Sequence, residues 1–313
     1  MAGCGMTTLR QQAAGYLALR RALGFKLVDT ERLLKQFITH LEQTGTARVT
    51  TDVAVTWARQ TVRVAPLYWR LRLGVVRGFA RHLHTLDPVH EVPPAGLLRC
   101  FPNRMPPHLY STDDIDALLH AVGVLFCQPL KAATYRTLIG LLAVTGMRIG
   151  EVLRLDRDHV DPEAGVLTIV ETKFGKSRQV LLHPSTVAAL REYADLRDRT
   201  PGTATTAAFF VSTRGRLLVN TVDYTFADIR EAAGIRVPPG VRRPRVHDLR
   251  HSFAVATLLD WYRTGVDVQA RLPVLSTWLG HVDPASTYWY LQAAPELLAQ
   301  AAARLEHAAG ASS

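Results

Sequence analysis

Six side chains between residues 148 and 290 are of types that hold an anion and move its protons. Arg148 closes an apolar run in Thr145-Gly-Met-Arg-Ile-Gly-Glu151, with Glu151 three residues on. Lys173 falls at the turn between two candidate strands. His247-Asp-Leu-Arg250 places an imidazole and a guanidinium at i, i+3, on one face of a helix. Leu279-Gly-His281 is followed, nine residues after the histidine, by Tyr290. Guanidinium forks grip anionic oxygens bidentately and stay charged at any relevant pH, while imidazole exchanges protons near neutrality. Each pattern alone is commonplace. Arg–Glu and His–Arg pairs at this spacing are frequent on helix surfaces, and turn lysines are usually solvated.

In combination and in this order they resemble the catalytic signature of the tyrosine recombinases, the phage integrase family. The segments TGMRIGEVLRL, HDLRHSFA and LGHVDPASTYWYL carry the resemblance, which covers residues 108–313. It implies a site-specific DNA recombinase or integrase that cuts and rejoins DNA through a 3′-phosphotyrosyl intermediate. Arg148 and Arg250 would hold the non-bridging oxygens as charge builds at phosphorus, in place of a metal ion. Tyr290 would be the nucleophile, and its phosphotyrosine link would conserve the bond energy for religation without ATP. Lys173 would protonate the leaving 5′-oxygen. His247 would assist proton transfer at the nucleophile, His281 would hydrogen-bond the phosphate, and Glu151 would buttress the site. No cofactor and no metal are expected.

Two of these assignments have rivals. Tyr288 and Tyr290 face about 200° apart on a helix, so only one can address the phosphate; the family spacing from Leu-Gly-His favours Tyr290. The family's Lys-x-x-Lys-x-Arg hairpin pattern is met by Lys173, Lys176 and Arg178, of which the first is its catalytic lysine. Lys176 and Arg178 are then candidate DNA contacts. The interval between Arg250 and His281 is somewhat long for the family and is expected to hold an extended helix pair. Other readings are a mobile-element transposase with the same chemistry, a type IB topoisomerase, and a DNA-binding regulator that has lost catalysis. The complete residue set argues against the last. A separate basic domain and a tail helix favour recombination over relaxation.

The elements that must position these groups read as mainly α with a small antiparallel β-sheet. Helices are expected over 7–23, 31–43, 53–62 and 67–84, and again over 113–124, 129–144, 184–197, 221–233, 248–263, 269–279, 284–291 and 295–307. Val166–Lys173 and Ser177–Leu182 read as a hairpin around Phe174-Gly175-Lys176, and Phe209–Ser212 as a short strand. The expected organisation is an N-terminal helical domain (1–90), a Pro-rich linker (91–107) and an α+β domain (108–313); the resemblance implies that the first is the family's SAM-like core-binding domain and the last its catalytic domain. The tail helix near 295–307 carries Leu298, Ala301, Ala302 and Leu305 at i, i+3, i+4, i+7. The resemblance implies that it is exchanged between protomers of a tetramer on DNA, with copies of itself or related recombinases.

Charge supports a polyanionic partner. The 313 residues carry 37 Lys+Arg against 27 Asp+Glu. Residues 1–105 hold 15 basic and 6 acidic side chains, and the remainder 22 and 21, so nine of the ten excess charges lie in the first third. Double-stranded DNA with specific recombination sites is the expected partner. On the fourth helix, Leu73, Val76, Ala80 and Leu83 form an apolar stripe, and Arg70, Arg77 and Arg81 form a second row suited to phosphates. Cys4, Cys100 and Cys127 share no ligand spacing, His82 and His84 point apart, no secretory signal is visible, and no apolar stretch reaches the roughly 20 residues of a membrane span. A cytoplasmic protein, with no membrane partner, is expected.

Overall fold

The computed structural model describes residues 8–62, 64–98, 106–170, 177–203, 206–238, 241–281 and 285–293. Lys173, Lys176 and the tail at 295–307 lie outside them. The chain divides into two compact units, Met1–Arg104 and Met105–Ser313.

The first unit contains α1 (Leu9–Ala22), α2 (Val28–Gln43), α3 (Thr51–Arg59) and α4 (Pro66–Leu86). Their starts follow local chemistry: Thr8 and Gln11 form a capping box, Thr50 accepts the Val53 N–H, and Pro66 opens α4, where its missing donor costs nothing. Leu33, Leu34, Phe37, Ile38 and Leu41 of α2 meet Leu73, Val76, Phe79, Ala80 and Leu83 of α4 in one core. The apolar stripe of α4 is thus buried as its spacing requires.

Two expectations for this unit are corrected. Residues 91–98, expected within a semi-rigid, extended linker, pack on this unit. The Glu91 N–H donates to the Val49 carbonyl and the Glu91 carboxylate accepts from the Thr51 N–H (both 2.8 Å), while Leu98 packs on the core. Arg77 does not join Arg70 and Arg81 in one outward row. Its Nε and Nη2 donate to the carbonyls of Pro93 and Pro94 (2.7 and 2.9 Å), which strap the segment to α4. Arg70 and Arg81 are exposed.

The second unit is mixed. Helices α5 (Thr112–Leu125), α6 (Pro129–Thr145), α8 (Pro184–Arg199) and α9 (Val219–Ala232) share one core with a three-stranded antiparallel sheet, β1 (Val160–Asp161), β2 (Val166–Ile169) and β3 (Arg178–Leu181). The register pairs Ile169 with Arg178 and Leu167 with Val180. A four-residue helix, α7 (Ile149–Val152), and a 3-10 turn (Arg157–His159) precede the sheet, and β4 (Val211–Ser212) pairs with β5 (Gly215–Arg216). The expected strand at 209–212 is shorter, because the Phe209 N–H and the Phe209 carbonyl bond outside it, to Leu155 and Arg197. Helices α10 (Asp248–Arg263), α11 (Val268–Leu279) and α12 (Ala285–Ala293) form a further cluster around Leu258, Leu272, Leu275, Leu279 and Tyr290. The interval between Arg250 and His281 is therefore a helix pair, α10 and α11. Among the described residues no helix is long and apolar enough to cross a membrane.

Candidate active site

Two helix ends build the site. α6 stops on Gly146 in the left-handed region (φ 62°), where a Cβ would stand 2.4 Å from the Phe253 ring. The chain then starts α7 at Arg148, and Glu151 folds back so that its carboxylate accepts the Arg148 N–H at 3.0 Å. This capping box fixes the Arg–Glu spacing noted in the sequence. α11 stops on Gly280, also left-handed (φ 66°). Its last three carbonyls each receive a different arginine: Trp278 O from Arg178 Nε (2.9 Å), Leu279 O from Arg250 Nη2 (2.8 Å), and Gly280 O from Arg148 Nη2 (3.0 Å). Arg250 also donates through Nη1 to the Gly146 carbonyl at 2.8 Å. A helix C-terminus carries negative partial charge and unpaired acceptors, so it is a natural dock for cations.

One carboxylate stands among these three guanidinium groups. Glu151 is buried (side chain 2% exposed) and accepts from Arg148 Nη1 at 2.9 Å and from Arg178 Nη1 and Nη2 at 3.2 and 2.8 Å. Burial alone would raise its pKa, but Arg178 first, and then Arg148, hold it down to about 2. Arg250 is buried, which together with Arg148 pushes its guanidinium down to about 10, leaving it charged at neutral pH.

The remaining groups gather beside the arginines. Tyr290 on α12 is 2% exposed, whereas Tyr288 is 51% exposed. Burial raises the Tyr290 phenol, and the charge of Arg250 and its hydrogen bond to the phenol pull it back. The His281 ring lies nearly parallel to the Tyr290 ring at 6.1 Å, and its Nδ1 is 2.7 Å from the Thr287 hydroxyl. When that hydroxyl donates, the ring proton sits on Nε2. Burial, then Arg250 and Arg148, lower His281 to about 4, so it is neutral at physiological pH. His247, at the start of α10, reaches the surface but is also lowered by its packed surroundings and by Arg250. The Asp248 carboxylate holds that start by accepting from the Arg245 N–H (2.8 Å) and Arg242 (2.6 Å).

The structure therefore brings together Arg148, Glu151, His247, Arg250, His281 and Tyr290. Arg178, a candidate DNA contact, is instead turned inward: its side chain is 12% exposed and all three guanidinium nitrogens are engaged inside the protein. Sequence reasoning also missed His251. Its ring lies 5.0 Å from His247 and 5.5 Å from Tyr290, its Nδ1 is buried without a hydrogen-bond partner among the described residues, and burial and His247 lower it to about 4. The only sequence signal was its place beside Arg250 in HDLRHSFA. Among the described residues, Asp156, Asp158 and His159 have ligand atoms within 4.8 Å of one another. They belong to the 3-10 turn, where the Asp156 N–H donates to His159 Nδ1 and its carboxylate pairs with Arg216.

Comparison with known proteins bears on the family and the fold. Residues 110–296 match the phage integrase family. A protein of Sinorhizobium fredii described as an integrase/recombinase, y4rB, is 45% identical over 309 residues, 96% of this chain and 98% of the relative. The fold is that of the XerH site-specific recombinase bound to palindromic difH substrate in a post-cleavage complex (TM-score 0.64, 20% identity, 95% of this chain and 84% of that one). It is likewise that of a lambda integrase tetramer bound to a Holliday junction (TM-score 0.64, 17% identity, 92% and 78%). With the matched segment spanning most of the second unit and a relative similar end to end, the chain belongs to the phage integrase family and is a tyrosine recombinase.

Proposed function

We propose that this protein is a site-specific integrase that cleaves and rejoins DNA through a covalent bond between Tyr290 and a 3′-phosphate. The observation that carries the reading is the burial of the Tyr290 ring against His281 and Arg250, beside Arg148. The Tyr290 oxygen attacks phosphorus, its proton passes by way of His247, and the bond to the 5′-oxygen breaks as Lys173 supplies a proton to it. Arg148 and Arg250 hold the non-bridging oxygens, and neutral His281 donates to one of them through Nε2. Glu151 holds Arg148. Negative charge is met by fixed guanidinium groups, so the reaction needs neither divalent metal nor ATP. The first unit, with nine of the ten excess positive charges, supplies non-specific affinity for duplex DNA.

Recombination joins two duplexes, each cut on both strands, so four protomers act together. The solved lambda integrase tetramer on a Holliday junction supports this reading. The tail at 295–307 docks on a neighbouring protomer and couples assembly to Tyr290, a few residues upstream. Deleting 295–313 should leave single-site binding nearly intact and impair synapsis.

The test uses a library of nicked duplexes randomised around the nick, so that cleavage releases a short strand and traps the adduct. Wild-type protein in a chelator and without ATP should yield a denaturant-resistant protein–DNA species of selected sequence. Tyr290→Phe should yield none and Tyr288→Phe should retain it. Adduct formation by Tyr290→Phe, or its loss in chelator with DNA binding intact, would overturn the mechanism.

A further inference from the structure

The guanidinium of Arg178 has no part in the mechanism above, yet it is packed deeper than that of Arg148, whose side chain is 35% exposed. Two paths lead from it to Arg148. The first is the Glu151 carboxylate, which Arg178 grips with both terminal nitrogens while Arg148 takes one oxygen through Nη1 and the other through its backbone N–H. The second is Gly280. A Cβ on Gly280 would stand 2.5 Å from Arg178 Nη1 and 2.8 Å from its Cζ, so the guanidinium occupies the space that only glycine leaves open. The carbonyl of that same glycine receives Arg148 Nη2.

The charge count gives this geometry a purpose. A buried Arg148–Glu151 pair alone would be neutral and would meet a phosphate with little net attraction. A second arginine on the same carboxylate leaves one positive charge over, and it does so without competing for the outward side of Arg148. Bidentate geometry matters because a lysine ammonium cannot hold both carboxylate oxygens and the Trp278 carbonyl at once.

We propose that Arg178 is a positioning residue for Arg148, acting through Glu151 and Gly280 to aim a charged fork at the scissile phosphate. The proposal rests on the cleavage reading given above. Arg178 touches neither DNA nor the reacting atoms. It lies at the start of β3, so that strand is tied to the site by the side-chain hydrogen bonds of Arg178.

The experiment uses the duplex recovered from wild-type adducts and compares adduct formation rate with DNA affinity. Arg178→Gln should slow cleavage about 10²-fold, the scale of losing one preorganised charge-stabilising donor, and weaken binding less than threefold. Glu151→Gln should behave similarly. Their combination should be slower than Glu151→Gln alone by far less than the full Arg178→Gln effect, since the two share the carboxylate contact and only the Gly280 path remains to be lost; independent effects would multiply. Arg178→Lys should remain at least fivefold slow with wild-type affinity, and it carries the test if the Gln variant does not fold. Cleavage by the Gln or Lys variant within twofold of wild type overturns the proposal. So does multiplication of the two single effects, or a loss of DNA affinity that matches the loss of rate. If wild-type protein forms no adduct with any duplex in the library, the functional reading fails and takes this inference with it.

Discussion

The two units use arginine in opposite ways. In the first, arginines ride on a core that is complete without them. Arg72 is buried, lies 3.7 Å over the Trp57 ring and donates to the Trp57 carbonyl at 2.9 Å; Arg77 straps Pro93 and Pro94; Arg70 and Arg81 face outward. In the second, Arg148, Arg178 and Arg250 converge on one helix end, and the first two share one carboxylate. The first unit holds most of the excess charge but disperses it. The second is nearly balanced overall but concentrates its charge at a point. Under the proposed function, net charge marks where a polyanion would be attracted, and local convergence marks where its chemistry would happen.

The sharpest way to break that contrast is to remove one buried arginine from each unit. Arg250→Ala should slow adduct formation by about 10²-fold or more, by loss of a preorganised charge-stabilising donor, with DNA affinity much less changed. Arg72→Ala should leave the cleavage rate near wild type and instead lower the unfolding free energy by about 1–3 kcal/mol, as the ring stacking and the carbonyl's donor both disappear. Equal kinetic effects would mean the first unit's core also shapes the site.

Acid should separate the units next. Unfolded, His251 and His281 bind protons near pH 6.5; folded, both are lowered to about 4. The unfolded chain therefore takes up more protons as pH falls from 6.5 to 4, and the fold loses stability across that window. Glu151, held at about 2 against an ordinary 4.5, prolongs the loss at lower pH. Hydrogen-exchange protection in α6 should decline before that in α2 as pH falls from 7 to 5. Simultaneous decline, or decline in α2 first, would contradict this.

Glycine offers a finer comparison. Gly24 has φ 87° with open space around its α-carbon, and Gly280 has φ 66° with Arg178 against it. Gly24→Ala should cost about 1–2 kcal/mol, the ordinary penalty of left-handed backbone. Gly280→Ala should cost more by thermal unfolding, because Arg178 is pinned by its own hydrogen bonds and cannot simply swing aside. The smallest effect is expected at the outer surface of α4. Neutralising Arg70 and Arg81 should flatten the salt dependence of DNA binding by about 0.9 for each phosphate that no longer meets a cation, whereas Arg77→Ala should leave the slope unchanged. A slope insensitive to all three would place the DNA elsewhere.

Most helices were legible because their signals are local. Ser111-Thr-Asp-Asp114 caps α5, Pro129 opens α6, and apolar spacing marks α2 and α4. Arg148, His247, Arg250, His281 and Tyr290 were legible because the site draws on short motifs in a fixed order. The misjudged residues share a different cause. Arg77 and Arg178 look like surface cations in sequence; Arg77 ends on a backbone carbonyl 16 residues away, and Arg178 on the Glu151 carboxylate 27 residues away and a backbone carbonyl 100 residues away. A carbonyl has no side-chain identity, so no residue pattern announces it. α7 and β1 span four and two residues, too few for periodicity to register.

The three consecutive carbonyls of Trp278, Leu279 and Gly280 carry an evolutionary consequence. Each successive residue of a helix turns about 100° and rises about 1.5 Å, so the end of α11 acts as a ruler whose divisions are single residues. Adding or removing one residue within α11 would rotate all three carbonyls away from their arginines together. The turn between Arg263 and Val268 lies at the other end of the helix and tolerates changes of length. Homologous chains should therefore vary in length between α10 and α11, and hold α11 to a constant count from Leu272 to His281.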